Sequence, residues 1–177
     1  MDSRIIGAAG EHYVICQLLR RGYVAAQAPE GVSKMDVVAS DPDGNRLFAI
    51  QVKARTEKGS DGGWHMGAKH EVPVEGVSFC FVDFGLDPDI HPKCYVVPST
   101  IVAKVLKRSH EIWGKGQGKD KPRDTSTEFR RFLPNYDIPN LNRPGISNQD
   151  QAWLLRFGKG WLEKYREAWA GLDSKAS

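Results

Sequence analysis

Residues 35–55 read MDVVASDPDGNRLFAIQVKAR, and this stretch decides the fold. Asp36 to Ser40 is rich in β-branched and small residues and predicts a strand. Asp41-Pro42-Asp43-Gly44-Asn45 supplies dense turn chemistry, so Arg46 to Arg55 is expected to return as the second arm of a hairpin. Side chains alternate faces along a strand. Phe48, Ile50, Val52 and Ala54 therefore share one face, and Leu47, Ala49, Gln51 and Lys53 share the other. Gln51 and Lys53 thus project together from a strand that is otherwise apolar enough to be central.

Working outward, the segment before the hairpin predicts a helix from a Ser3 cap to about Arg21, stopped by Gly22. Ile5, Ala8, Val14, Ile15 and Leu18 give it an apolar stripe. Glu11 stands on that stripe, where an ionised carboxylate is costly without a cation or hydrogen-bond donor. Tyr23 to Ala28 reads as a short strand and Pro29-Glu30-Gly31 as a turn. After the hairpin, residues 56–76 are glycine-rich and predict a loop. Two further strands follow at Ser78–Phe84 and Lys93–Val97, then a helix opening at Pro98-Ser99 and reaching Arg108 or beyond.

From Gly114 to Ile146 little periodicity is visible, and Pro122, Pro134, Pro139 and Pro144 punctuate a long basic connection. A last helix is expected from Asn148 to about Trp169, with Trp153, Leu154, Phe157, Trp161 and Tyr165 on its apolar stripe. A helix, a hairpin, further strands and then helices describe an α/β fold: a mixed central sheet of four to five strands flanked by helices. The expected organisation is a single domain over 1–177, with a core at about 3–113, a basic insertion at about 114–147 and a C-terminal helix at about 148–170.

The composition suits that size. Of 177 residues, 40% are hydrophobic and 27% charged, which excludes fibrous and wholly disordered classes. Formal net charge is only +3. Yet nine basic and four acidic residues lie between Lys104 and Arg131, enough for a phosphate-neutralising patch, although such runs are commonly just solvated surface. Cys16, Cys80 and Cys94 are widely spaced and lack the pairing of a zinc site or disulfide framework. With no signal-like start and no long apolar run, a cytoplasmic, non-membrane protein is expected.

A glutamate on the inner helix face, Asp36 at a strand start and Gln51-Val52-Lys53 on the next strand resemble the PD-(D/E)XK nuclease superfamily, in particular its Holliday-junction-resolvase-like and Mrr-like members. The resemblance covers the first third to half of the chain at motif level and implies a restriction-endonuclease-like core. It implies that Glu11 is the helical carboxylate, Asp36 the central metal ligand, Gln51 the variable acid position and Lys53 the lysine beside the attacking water. It also implies a metal contact from the Val52 backbone carbonyl. The metal expected is Mg²⁺, with Mn²⁺ as a substitute, because a hard cation takes oxygen ligands.

The activity implied is phosphodiester hydrolysis by an endonuclease, with DNA ranked ahead of RNA and a homodimer compatible with cutting two strands. Lys34, Arg55, His65, Lys69, Lys115, Lys119, Lys121 and Arg123 are the candidate nucleic-acid contacts. Two positions depart from the pattern. Met35 replaces a proline that shapes backbone, and Gln51 replaces a carboxylate, which removes a formal charge from the metal site. The alternative is therefore a catalytically weak or inactive nuclease-fold protein that binds nucleic acid or a protein partner. Taken singly, Glu11 has an ordinary reading as a paired helix glutamate, Asp36 as a turn residue and Lys53 as a snorkelling edge lysine. Their conjunction in this order favours the site.

Overall fold

The computed structural model describes residues 2–31, 34–56, 62–116, 123–139, 141 and 145–172. Lys119 and Lys121 fall outside them. The chain divides into two compact units, one of Met1–Lys58, Val74–Ser99 and Tyr165–Ser177, the other of Gly59–Pro73 and Thr100–Lys164.

The first unit holds helix α1 (Ser3–Leu19) and strands β1 (Val24–Gln27), β2 (Val37–Ser40), β3 (Leu47–Arg55), β5 (Val77–Asp83) and β6 (Lys93–Pro98); β4 (Trp64–Gly67) belongs to the second unit. The strands form one sheet in the order β1-β2-β3-β5-β6. All neighbours are antiparallel except β3 and β5, which run parallel, so the sheet is mixed as the sequence predicts. The hairpin turn is closed by Asp41, whose Oδ1 accepts from the Asn45 amide at 2.7 Å and the Arg46 amide at 3.3 Å. Gly44 takes the left-handed φ of 73° that the turn requires.

Helix α1 packs on the face of β3 that carries Ile50, Val52 and Ala54. Val14, Leu18, Val37, Ile50, Val52 and Val82 form the core there, together with Trp169 and Leu172 from the C-terminal segment. That segment joins the sheet through a bridge between Tyr95 and Arg166, and the Glu167 amide donates to the Cys94 carbonyl at 2.9 Å. The expected face alternation of β3 is therefore observed, with Gln51 and Lys53 turned away from α1. One local expectation is corrected. The helix is capped by Asp2 rather than Ser3, because the Asp2 carboxylate accepts from the Arg4 amide at 2.9 Å and leaves Ser3 inside the first turn.

The second unit contains most of α2 (Ser99–Lys115), the two-stranded antiparallel sheet of β4 (Trp64–Gly67) and β7 (Phe129–Phe132), and α3 (Asn148–Arg156). The glycine-rich stretch and the aperiodic basic stretch thus each contribute a strand where loops are predicted. Strand pairing Trp64 with Phe132 buries both rings, which are 2% and 0% exposed. The C-terminal helix is shorter than predicted. It stops at Arg156, and Gly160 beyond it sits at φ 89°, a conformation that ends helical progression. Trp153, Phe157 and Trp161 nevertheless converge with Tyr136 as a ring cluster, centroids 4.6 to 6.1 Å apart. Asp150, 1% exposed, ties α3 to α2 through Arg108 and through Lys115 at 2.8 Å.

No helix among the described residues is long and apolar enough to cross a membrane.

Candidate active site

Asp36 sits one residue before β2, and its backbone is held on both sides. Its amide donates to the Ile50 carbonyl at 2.9 Å, and its carbonyl accepts from the Ala28 amide at 2.9 Å. The β2–β3 ladder ends where Val37 pairs with Ile50, so Val52 lies past the last rung. There the side chain of Asp36 replaces a strand: Oδ2 accepts the Val52 amide at 2.7 Å. In an antiparallel ladder a residue's N–H and C=O point to the same side. The Val52 carbonyl is consequently directed to the side of β3 that Asp36 occupies.

Gln51 and Lys53 flank Val52 on the opposite face from α1. Gln51 is 6% exposed and pairs with Phe79 across the parallel ladder, while half-buried Lys53 pairs with Phe81. The two phenylalanine rings stack with centroids 5.8 Å apart, an apolar floor beside the polar pair. Low polarity there strengthens any charge interaction the pair makes.

Glu11 comes from α1. Its Oε2 accepts from the Gln27 side-chain amide at 2.8 Å. Gln27 ends β1 and pairs with Val37, the neighbour of Asp36, so β1 anchors the helical carboxylate next to the start of β2. The hydrogen bond of Glu11 goes to Gln27 and not to Asp36. Gln27 escapes a reading of the sequence, since a glutamine closing a short strand carries no distinguishing pattern. Gly10, beside Glu11, is a second such residue. It allows α1 to approach β3 so closely that an added Cβ would lie 2.5 Å from Ala54 Cβ.

The donors available for a divalent cation are all oxygens: the Asp36 carboxylate, the Val52 carbonyl, the Gln51 amide and, from α1, the Glu11 carboxylate. In kind this set suits Mg²⁺ or Mn²⁺ and would not suit a soft metal. Only two of the four are charged, and among the described residues no group of three or more His, Cys, Asp or Glu side chains gathers.

The candidate nucleic-acid residues divide between the two units. Lys34 is exposed just before Asp36. Arg55 is committed to Asp83 at 2.6 Å, with both side chains 13% exposed. In the second unit, His65 packs edge-on against Phe129 and Lys69 is exposed. Lys115 is paired to Asp150, and Arg123 lies over the Trp113 ring at 4.8 Å while donating to its carbonyl at 2.7 Å. Much of the basic run therefore also serves internal packing.

The arrangement is a helix-backed mixed sheet in which Asp36, just before β2, bonds through its carboxylate to the strand that carries Gln51 and Lys53. Two solved structures align with the chain at low identity. A bacterial homing endonuclease, I-Ssp6803I, has a TM-score of 0.48 at 15% identity, over 99% of this chain and 94% of that one. The Holliday junction resolvase Hjc of Archaeoglobus fulgidus has a TM-score of 0.35 at 16% identity, over 72% of this chain and 88% of that one. No protein-family model and no curated protein matches the chain.

Proposed function

We propose that the chain is a metal-dependent nuclease that hydrolyses phosphodiester bonds, with DNA as its substrate. The observation that carries this reading is the 2.7 Å hydrogen bond from the Val52 amide to Asp36, which fixes one carboxylate oxygen and leaves the other directed by the same constraint. Asp36, the Gln51 amide oxygen and the Val52 carbonyl would hold Mg²⁺, with Glu11 approaching from the helix. When bound, such an ion lowers the pKa of a water and offsets charge building on the phosphate.

The remaining chemistry belongs to side chains of this protein. Lys53 orients the attacking water and stabilises the negative charge of the pentavalent transition state. The water oxygen bonds to phosphorus as the bridging P–O bond opposite it breaks, the water's proton passing to solvent and solvent protonating the leaving oxygen. Asp36 serves as a positioned acceptor because its backbone is clamped at both its amide and its carbonyl. Preorganisation of this kind avoids reorganisation at the moment of reaction.

Cleavage of duplex and branched DNA in Mg²⁺ tests the proposal. Activity is expected in the wild type and absent in folded Asp36→Ala and Lys53→Ala proteins. Retained cleavage in both variants would remove the residue assignments. Gln51 favours a second reading, in which a site with one charge fewer binds nucleic acid without turnover. That reading expects salt-sensitive binding and no product in Mg²⁺ or Mn²⁺.

A further inference from the structure

Helix α1 is apolar on the side that faces solvent as well as on the side that faces the sheet. Successive helical residues are about 100° apart, so Ile5, Ala8, Ala9, His12, Cys16 and Leu19 fall within an arc of about 120°. The buried residues Gly10, Val14 and Leu18 lie on the opposite side. All six residues of the outer arc are exposed, Ile5 at 61% and Leu19 at 51%. No lysine, arginine, aspartate or glutamate is among them.

Helix α2, also of 17 residues, has an ordinary solvent face: its exposed positions are Thr100, Lys104, Lys107, Glu111 and Lys115. A helix that is apolar all round is normally covered all round. The outer arc of α1 is large and aliphatic at both ends and small in the middle. A second helix can therefore come close at the centre and bury the Ile5 and Leu19 side chains at the ends.

The spacing of the arc identifies that second helix. Ile5 and Leu19 stand seven residues before and after His12, and Ala8-Ala9 mirrors Ile15-Cys16 about the same position. A two-fold axis at His12 that sets two copies of α1 antiparallel places Ile5 on the partner's Leu19. It also places Ala9 beside the partner's Cys16. Arg20, exposed at the C-terminal end, comes next to the partner's Asp2, whose carboxylate caps the N-terminal end. Antiparallel packing further opposes the two helix dipoles.

We propose that α1 is a homodimer interface, its outer arc docked antiparallel on the same arc of a second copy. Such an interface is isologous and closes on itself. The arc runs about 21 Å along the helix and covers on the order of 400 Å² per copy, against about 800 Å² for a standard interface. The dimer is accordingly weak, with a dissociation constant on the order of 100 µM. Dimerisation of this kind is independent of the nuclease reading, since none of the six residues is a candidate metal or catalytic group.

Sedimentation of the full-length protein in EDTA, from about 5 µM to about 1 mM, is expected to show a reversible monomer–dimer equilibrium. Leu19→Glu changes an exposed position and is expected to weaken it at least about tenfold, by burying a charge in an apolar contact. Thermal melting establishes that each variant is folded. The Ile5→Lys/Leu19→Lys and Ile5→Glu/Leu19→Glu proteins should each be monomeric and should dimerise when mixed, because position 5 meets position 19 of the other copy. Ala9→Cys supplies a second readout. With oxidised glutathione it should crosslink through the native Cys16 of another copy, since within one helix the two thiols are about 10 Å apart along the axis, too far for a disulfide. Ala9→Cys/Cys16→Ser should not crosslink. A wild type monomeric throughout overturns the proposal and leaves the arc to a different protein or to solvent. A dimer unchanged by Leu19→Glu, or no excess crosslinking of Ala9→Cys over its Cys16→Ser control, overturns it as well.

Discussion

Gly10 of α1 lies against Ala54 of β3 so closely that a methyl group on Gly10 would come within 2.5 Å of the Ala54 Cβ and 3.3 Å of Val52 Cγ1. This approach sets how near the helix carrying Glu11 comes to the strand carrying Gln51 and Lys53. The neighbour is a strand-bound methyl with no rotamer to yield, so the helix must shift if a side chain is added.

Gly10→Ala is therefore expected to lower stability. Overpacking costs about 1–3 kcal/mol, and alanine returns up to about 1 kcal/mol of helix propensity. A net loss of about 1–2 kcal/mol in denaturant unfolding is expected, with recovery in the Gly10→Ala/Ala54→Gly double variant. Unchanged stability in the single variant would show that the contact does not set the helix position.

The hairpin was legible because its determinants are local. Face alternation in Leu47–Arg55 and the Asp41 turn lie within a few residues of each other, and Glu11 falls on a helix whose Val14 and Leu18 are buried as the stripe predicts, while Ile5 of that stripe is exposed. Strands β4 and β7 were not legible, since each has four residues and pairs only with the other, far away in sequence. Helix α3 was read as too long because its aromatic periodicity continues through Phe157 and Trp161, which pack as a cluster after the helix has ended. At the site, residue types and order could be read. The Val52 amide bond to Asp36 and the Gln27 bond to Glu11 could not, because both depend on where strands end.

Asp150 provides a pH test in the second unit. Burial pushes its carboxyl up, but hydrogen bonds from Lys115 and Ser147 and the charges of Arg108 and Lys115 outweigh this and hold it below the usual value. A lowered folded-state pKa stabilises the protein above the unfolded value of about 3.9, and that contribution is lost as pH falls through the folded pKa. Asp150→Asn is expected to cost about 2 kcal/mol near neutrality, discounted because Lys115 is half exposed. The difference from wild type in thermal melting should shrink below about pH 4. A difference independent of pH would assign the loss to packing.

Gln51→Glu restores the missing charge. In EDTA the variant is expected to melt lower than wild type, because it puts a carboxylate at a buried strand position. In Mg²⁺ or Mn²⁺ it should regain stability and bind the ion on the order of tenfold more tightly. An identical thermal response of both proteins to metal would place Gln51 outside the metal site.

Removing the Gln27 amide should free the Glu11 carboxylate from its 2.8 Å partner. Gln27→Leu is expected to weaken Mn²⁺ binding severalfold with little change in melting temperature, and Glu11→Gln to weaken it further. The order is set by charge, since the first substitution removes only an orienting hydrogen bond. Equal affinities in all three proteins would leave Glu11 without a metal role.

The account turns on oxygen donors from the start of β2 and the middle of β3 sharing one cation. The most direct measurement is anomalous diffraction from crystals soaked in Mn²⁺. The expected result is a peak contacting the Asp36 carboxylate, the Val52 carbonyl and the Gln51 amide oxygen. A peak elsewhere, or none there at saturating Mn²⁺, would contradict it.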